Sequence, residues 1–257
     1  MEVPAIAHRH TPAELRAEAA ARLPEKIVFV ECGAPWLDEV SWIEQLAADE
    51  PRIAAIVAKA TVDAGGQTSA VIAELKKHAL VRGVRHNIQD ERDPNFCTRT
   101  AFVIGVRQVG EAGLSFDICC RHHQLAAVAE LVRQCPQTHF VLDHAGKPDI
   151  RSQVLHPWRE HIAALAALPN VDCKFSGLIT EADHAHWTIA DLRPFTAHLL
   201  ATFGPRRLLF GGDWPVAKLA GPYLRWLDAA EELLSHLSPT DRRAVFHDNA
   251  QRVYRLK

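Results

Sequence analysis

The chain has 257 residues, 48% of them hydrophobic, with 29 Lys and Arg against 31 Asp and Glu and a formal charge of -2. Such a composition can bury a substantial core, which excludes disorder, and no basic block offers the electrostatic grip that nucleic acid requires. No stretch approaches the roughly 20 apolar residues of a membrane span, and the opening MEVPAIAHRHTPAEL lacks the basic start and apolar centre of a signal peptide. A cytoplasmic protein with neither nucleic acid nor membrane as partner is the expectation.

In chain order, the short run AIAHRH ends in His8-Arg9-His10, and TPAELRAEAAARL after it reads as a helix. Strand candidates follow at KIVFVECG (26–33), RIAAIVAKATV (52–62), VRGVRHNI (81–88), SFDICC (115–120), HFVLDHAG (139–146), VDCKFSG (171–177) and RLLFGGDW (207–214). Between them lie LDEVSWIEQLAADE, TSAVIAELKKHAL, QLAAVAELVRQC and WREHIAALAAL, whose apolar residues recur near i, i+3, i+4 and i+7 and so predict amphipathic helices. No linker or low-complexity stretch interrupts the alternation, which predicts one domain over residues 1–257.

Apolar strands alternating with helices imply a parallel sheet covered by helices, and seven or eight such units favour a closed (β/α)8 TIM barrel. A doubly wound sheet is the fallback, but no GxGxxG or phosphate loop follows any strand. In a barrel, functional groups gather where the strands end. Those ends carry Glu31, Lys59, Arg85 with His86, Arg121 to His123, Asp143 with His144, Lys174 with Ser176, and Asp213. Ionisable groups there are costly to desolvate unless something pairs or uses them.

Asp213 and His144 form the sharpest pair. A carboxylate can take a proton from water, and an imidazole across the mouth can bind an oxygen, hold a metal or carry the proton. Asp213 as a helix cap is the bland alternative. Lys174 points either into the site or to a structural ion pair, and Trp214 and Trp187 either line a pocket or pack. The six cysteines, without close CxxC pairs, read as reduced and mostly buried. Cys119, Cys120, His122 and His123 supply metal-binding atom types, but neighbours on a strand point to opposite faces and cannot all reach one ion. His184 and His186 read as a polar loop.

VRGVRHNIQDE, GLSFDICCRHHQL, FVLDHAGKPDI, WREHIAALAALPNVDCKFSGLITEAD, RLLFGGDWPVAKL and NAQRVYRL, in that order, resemble the L-fuconolactonase branch of the amidohydrolase-related (amidohydrolase 2) family, over nearly the whole chain from Thr11 to Leu256. The resemblance implies a (β/α)8 barrel that opens sugar-acid or related lactones by water attack on the carbonyl. It makes Asp213 the general base and His144 the active-site histidine facing it. It sends Arg85 and His86 to the substrate carbonyl or carboxylate, with His86 catalytic. Lys174 and Trp214, read from their own positions, join Arg85 as candidate substrate-binding residues. Carboxy-lyases in the wider family, and a degenerate barrel kept for binding, are the alternatives.

Relatives of this kind open on a strand ending in His-x-His before a helix like TPAELRAEAAARL, which here begins at Thr11. The first strand is therefore expected to be missing or replaced by a short N-terminal segment. Residues 2–8 as a surrogate strand, closure of the gap by a partner chain, or a start codon downstream of the true one would each account for it. Unpaired apolar edges in KIVFVECG and RLLFGGDW predict a tendency to self-associate. For the cofactor two routes stand open: zinc or manganese held by His144 and Asp213 together with His8 and His10, or metal-free hydrolysis of an activated ester.

Overall fold

In the computed structural model, which describes residues 6–256, all seven apolar runs are strands: β1 (Ile27–Val30), β2 (Ile53–Lys59), β3 (Val81–Arg85), β4 (Ser115–Ile118), β5 (His139–Leu142), β6 (Val171–Phe175) and β7 (Leu208–Phe210). They pair in sequence order, every neighbour parallel. Helices alternate with them: α1 (Pro12–Ala19), α2 (Trp36–Asp49), α3 (Gly66–Leu75), α4 (Thr100–Glu111), α5 (Leu125–Gln134), α6 (Trp158–Ala166), α7 (Ile189–Thr202), α8 (Tyr223–Leu233), α9 (Pro239–Arg243) and α10 (Asn249–Tyr254).

The expectation of a barrel whose first strand is missing or replaced holds in part, because full closure is not seen. Among the described residues the sheet has seven strands, and no ladder joins β7 to β1. Residues 2–5 of the surrogate-strand expectation lie outside the described residues, while Ile6 to His10 form no strand. They lead into α1, where the Thr11 hydroxyl accepts the Glu14 amide at 3.3 Å and Pro12 occupies the first turn, a side-chain cap with a residue preset for helix. All four residues of the outer strand β1 stay partly exposed.

Strand alternation sorts the core into two layers. Residues turned outward, such as Ile56, Phe116 and Phe140, join the helices in the larger apolar cluster. Residues turned inward, Ala55, Val57, Val141 and Leu209, meet Val253 and Tyr254 of α10, which close the floor of the sheet. Arg252 of α10 ties that floor down: its two terminal nitrogens reach Asp172 at 2.6 and 3.2 Å. Gly83 is required here because a Cβ on it would stand 2.2 Å from Ser115 Oγ. Above this floor the interior turns polar, and that polar upper half positions the site.

Candidate active site

His144 follows β5 and Asp213 follows β7, and the structure brings them face to face. His144 Nε2 lies 3.8 Å from Asp213 Oδ1, too far for a direct hydrogen bond. Both side chains are largely shielded, at 15% and 12% exposure. Both backbones are left-handed, with φ of 51° at His144 and 50° at Asp213. Such conformations cost about 1–3 kcal/mol in non-glycine residues and persist where the surroundings hold a side chain in a needed direction. The Ala217 amide bonds the Asp213 carbonyl at 2.7 Å, fixing the turn, and Ser176 Oγ lies 3.0 Å from the other imidazole nitrogen of His144. Burial lowers the His144 pKa despite the pull of Asp213 and Asp143, so the imidazole stays neutral.

Beneath the pair runs an ion network. Arg85 donates from Nε to Glu31 Oε1 at 2.8 Å, to the Glu31 carbonyl at 2.6 Å, and from Nη1 to Asp143 Oδ2 at 2.8 Å. Lys174 Nζ stands 2.7 Å from Asp117 Oδ2 and 2.5 Å from Asp143 Oδ1. Both Asp143 oxygens thus face a cation, Oδ1 the Lys174 ammonium and Oδ2 the Arg85 guanidinium. The Tyr254 hydroxyl rises from the floor to Asp117 Oδ2 at 2.7 Å. Burial works against ionised Asp143, but Lys174 and Arg85 outweigh it and hold the carboxyl well below the usual range. For Asp117 burial prevails and raises the pKa. Burial likewise opposes the Lys174 cation, yet Asp117 and Asp143 keep it raised.

Not every expected residue joins the pair. Arg85 and Lys174, expected to grip substrate, are committed to buried carboxylates and are only 13% and 11% exposed. They set the charge of the cup, with each Arg85 nitrogen donating to Glu31 or Asp143 and the Lys174 ammonium held between two carboxylates. His86, expected to be catalytic, sits at the β2–β3 rim, its ring 5.9 Å from Phe96 and 5.1 Å from Phe102, with Nδ1 facing the Val62 amide at 3.3 Å. Burial lowers its pKa, as befits a packed neutral ring. Trp214 is half-buried and donates from its indole nitrogen to Glu18 at 3.1 Å, pinning the loop after β7 to α1.

The expected metal set of His144, Asp213, His8 and His10 divides. Among the described residues two other groups bring ligand atoms within 4.8 Å of one another: His8, His10 and Glu14 in one, and Cys119, Asp143 and His144 in the other. The first lies beside Trp214, whose ring is 5.3 Å from His10, with Glu14 also engaged by Lys218 at 2.5 Å. The second is in the cup. Sulfur, carboxylate and imidazole are donor types that zinc takes, but both Asp143 oxygens are already paired, with Lys174 at 2.5 Å and Arg85 at 2.8 Å, so this set does not fit an ion as it stands. Cys119, Cys120, His122 and His123 do not converge, as strand alternation predicts. Five of the six cysteines are buried and all are free.

Asp117 and Tyr254 escaped the sequence reading. Asp117 had a signal, because it lies two residues before Cys119 and shares its face of β4. Tyr254 had none, since its partner is 137 residues away.

The family model described as Amidohydrolase matches residues 39–256. The chain belongs to the amidohydrolase family. It is 39% identical over 230 residues to an L-fucono-1,5-lactonase of Burkholderia multivorans, covering 85% of this chain and 77% of that one. An L-fucono-1,5-lactonase of Burkholderia ambifaria is 31% identical over 249 residues, 95% of this chain and 85% of its own. The crystal structure of an amidohydrolase from Burkholderia multivorans with bound zinc superposes with a TM-score of 0.91 at 35% identity, covering 99% of this chain and 91% of that one. The family expectation thus holds, and the fold expectation holds in part, as a parallel seven-stranded sheet with helices.

Proposed function

We propose that this amidohydrolase-family chain hydrolyses the lactone of a sugar acid, with Asp213 as the base that activates water and His144 as the group that polarises the ring carbonyl. The observation that carries the reading is the opposed pair: a carboxylate and a neutral imidazole, 3.8 Å apart, each on a left-handed residue at a strand end. Support comes from the L-fucono-1,5-lactonases it resembles.

In this reading Asp213 takes a proton from water as the oxygen attacks the carbonyl carbon. With the Ser176 hydroxyl, 3.0 Å away, acting as donor to Nδ1 of His144, the mechanism uses the tautomer that carries its N–H on Nε2, the side facing Asp213. That N–H stabilises the negative charge growing on the carbonyl oxygen. Collapse of the tetrahedral intermediate breaks the ring C–O bond, and Asp213, now protonated, returns its proton to the departing alkoxide. The network below keeps Asp143 ionised and anchors the segment that carries His144.

Asp213→Asn tests the reading. Proton release from a panel of sugar-acid lactones, followed with a pH indicator, is expected to fall by at least about 100-fold, the lower range for a general base. Unchanged turnover in the variant would remove Asp213 from the mechanism. Carbon dioxide release from a carboxylated substrate, without acid formation from any lactone, would turn the assignment to a carboxy-lyase.

A further inference from the structure

The turn that carries His144 also carries Lys147. His144, Ala145, Gly146 and Lys147 are all left-handed, with φ of 51°, 52°, 67° and 48°, and the Lys147 amide donates to the His144 carbonyl at 2.9 Å. In a turn closed from i to i+3 the two end side chains stand one above the other, so Lys147 rises beside the imidazole at the rim of the cup. Its side chain is 19% exposed. Among the described residues the ammonium makes one hydrogen bond, to Gln89 Oε1 at 2.5 Å, which leaves two of its three N–H donors for a ligand.

Glu181, in the short turn after β6, faces it. The Arg151 amide donates to the Glu181 carbonyl at 2.9 Å and fixes that turn. Glu181 Oε1 lies 3.8 Å from Lys147 Nζ, too far for a hydrogen bond, and its side chain is 21% exposed. Both groups are electrically coupled to the reacting pair. Burial raises the Glu181 pKa, Lys147 and Arg121 oppose that rise, and Asp213 adds to it. After burial, Lys147 is among the charges that lower the His144 pKa. Unlike Arg85 and Lys174, which buried carboxylates hold, this donor and this acceptor are open to the cup. A hydroxyl both accepts and donates, so hydroxyls on neighbouring ring carbons can satisfy the two together. An anionic substituent would face the Glu181 carboxylate, and an apolar one would strip water from both charges without replacing its hydrogen bonds.

We propose that Lys147 and Glu181 select the substrate: the ammonium donates to one ring hydroxyl and the carboxylate accepts from its neighbour, so the site takes neutral polyhydroxylated lactones ahead of unsubstituted or carboxylated ones. This rests on the reading of the cup as a lactonase site. Neither residue takes part in the bond changes; together they hold the ring with its carbonyl toward His144 and Asp213. The competing role for Lys147 is a brace, tying the loop after β3 to the turn after β5 through Gln89. A brace would serve every ligand alike, whereas a hydroxyl reader serves only the hydroxylated ones.

Lactams, which keep the ring and carbonyl but resist hydrolysis, separate recognition from turnover. Calorimetry would compare three probes: a polyhydroxylated hexono-δ-lactam, unsubstituted δ-valerolactam, and a δ-lactam bearing a carboxylate. The wild type is expected to bind the hydroxylated lactam at least about 10-fold more tightly than either of the others, the discrimination that hydrogen bonds to charged groups provide. Lys147→Met and Glu181→Leu, on separate turns, should each weaken that binding by at least about 10-fold and leave binding of δ-valerolactam unchanged. The proposal is overturned if the wild type shows no preference for the hydroxylated lactam, if either variant binds it as the wild type does, or if Lys147→Met weakens all three lactams equally, as a brace requires. Because lactam binding needs no turnover, failure here is distinct from failure of the lactonase reading, which Asp213→Asn decides on lactones.

Discussion

Gly177 and His144 occupy adjoining space so closely that a Cβ built on Gly177 would stand 2.7 Å from His144 Nδ1 and 2.8 Å from Cγ. The glycine also has a φ of 64°, a region that other residues adopt only with strain. Gly177→Ala should therefore displace the imidazole and destabilise the fold by about 1–3 kcal/mol. Steady-state kinetics on a hydrolysed lactone, with urea unfolding in parallel, checks this: kcat should fall by at least about 10-fold in the fraction that remains folded. Wild-type kcat in a destabilised variant would separate His144 from the reaction.

Ser176 holds the other side of the same ring at 3.0 Å. Removing its hydroxyl leaves Nδ1 without this hydrogen-bond partner and loosens the ring. For Ser176→Ala we expect kcat to fall about 10- to 100-fold, equivalent to the roughly 1–3 kcal/mol of a lost buried hydrogen bond, with little change in KM. A change confined to KM would assign Ser176 to substrate binding instead.

Lys174 sits between Asp117 and Asp143, both fully buried. Lys174→Met keeps most of the side-chain volume but leaves the two carboxylates uncompensated, and breaking a buried pair from one side costs about 3–5 kcal/mol. Urea titration followed by circular dichroism should show that loss. A variant as stable as the wild type would mean that the carboxylates take up protons at no cost.

Asp172 should govern part of the acid sensitivity. Burial opposes its ionised form, but His139 at 2.9 Å and Arg252 outweigh burial and lower its pKa below 3.8. A depressed folded-state pKa means stability that is present above the unfolded-state value and is lost as pH falls through the folded-state value. Urea midpoints measured from about pH 6 down to about pH 3 should therefore decline, and Arg252→Met should flatten that decline by removing one source of the depression. An equally steep decline in the variant would place the acid-labile group elsewhere.

Much of this was legible in one dimension. The seven strands and the helices between them follow from alternation and helical periodicity, local properties that each segment carries by itself, and boundaries differ only at the ends, as in RLLFGGDW, of which Leu208–Phe210 alone pairs as strand. Asp213 and His144 were legible because ionisable groups at the ends of apolar runs in a barrel must converge on one rim. Arg85, Lys174 and His86 were located correctly at strand ends, but the partner that each meets there was not legible. Whether an end residue faces substrate, a buried carboxylate or a phenylalanine depends on neighbours distant in sequence: Arg85 meets Asp143 across 58 positions and Lys174 meets Asp117 across 57.

Periodicity therefore determined the succession of elements, strand ends the facing acid and imidazole, and the resemblance of the motifs the family, because each is encoded in residues a few positions apart or in the fixed geometry of parallel strands. Tertiary structure alone decided which charges cancel one another, that Tyr254 seals the floor beneath Asp117, and that Cys119 rather than the His8-x-His10 segment stands beside His144. Those outcomes turn on Coulomb and packing contacts of a few ångströms between remote segments, and a one-residue change in how a strand faces the interior would reverse them.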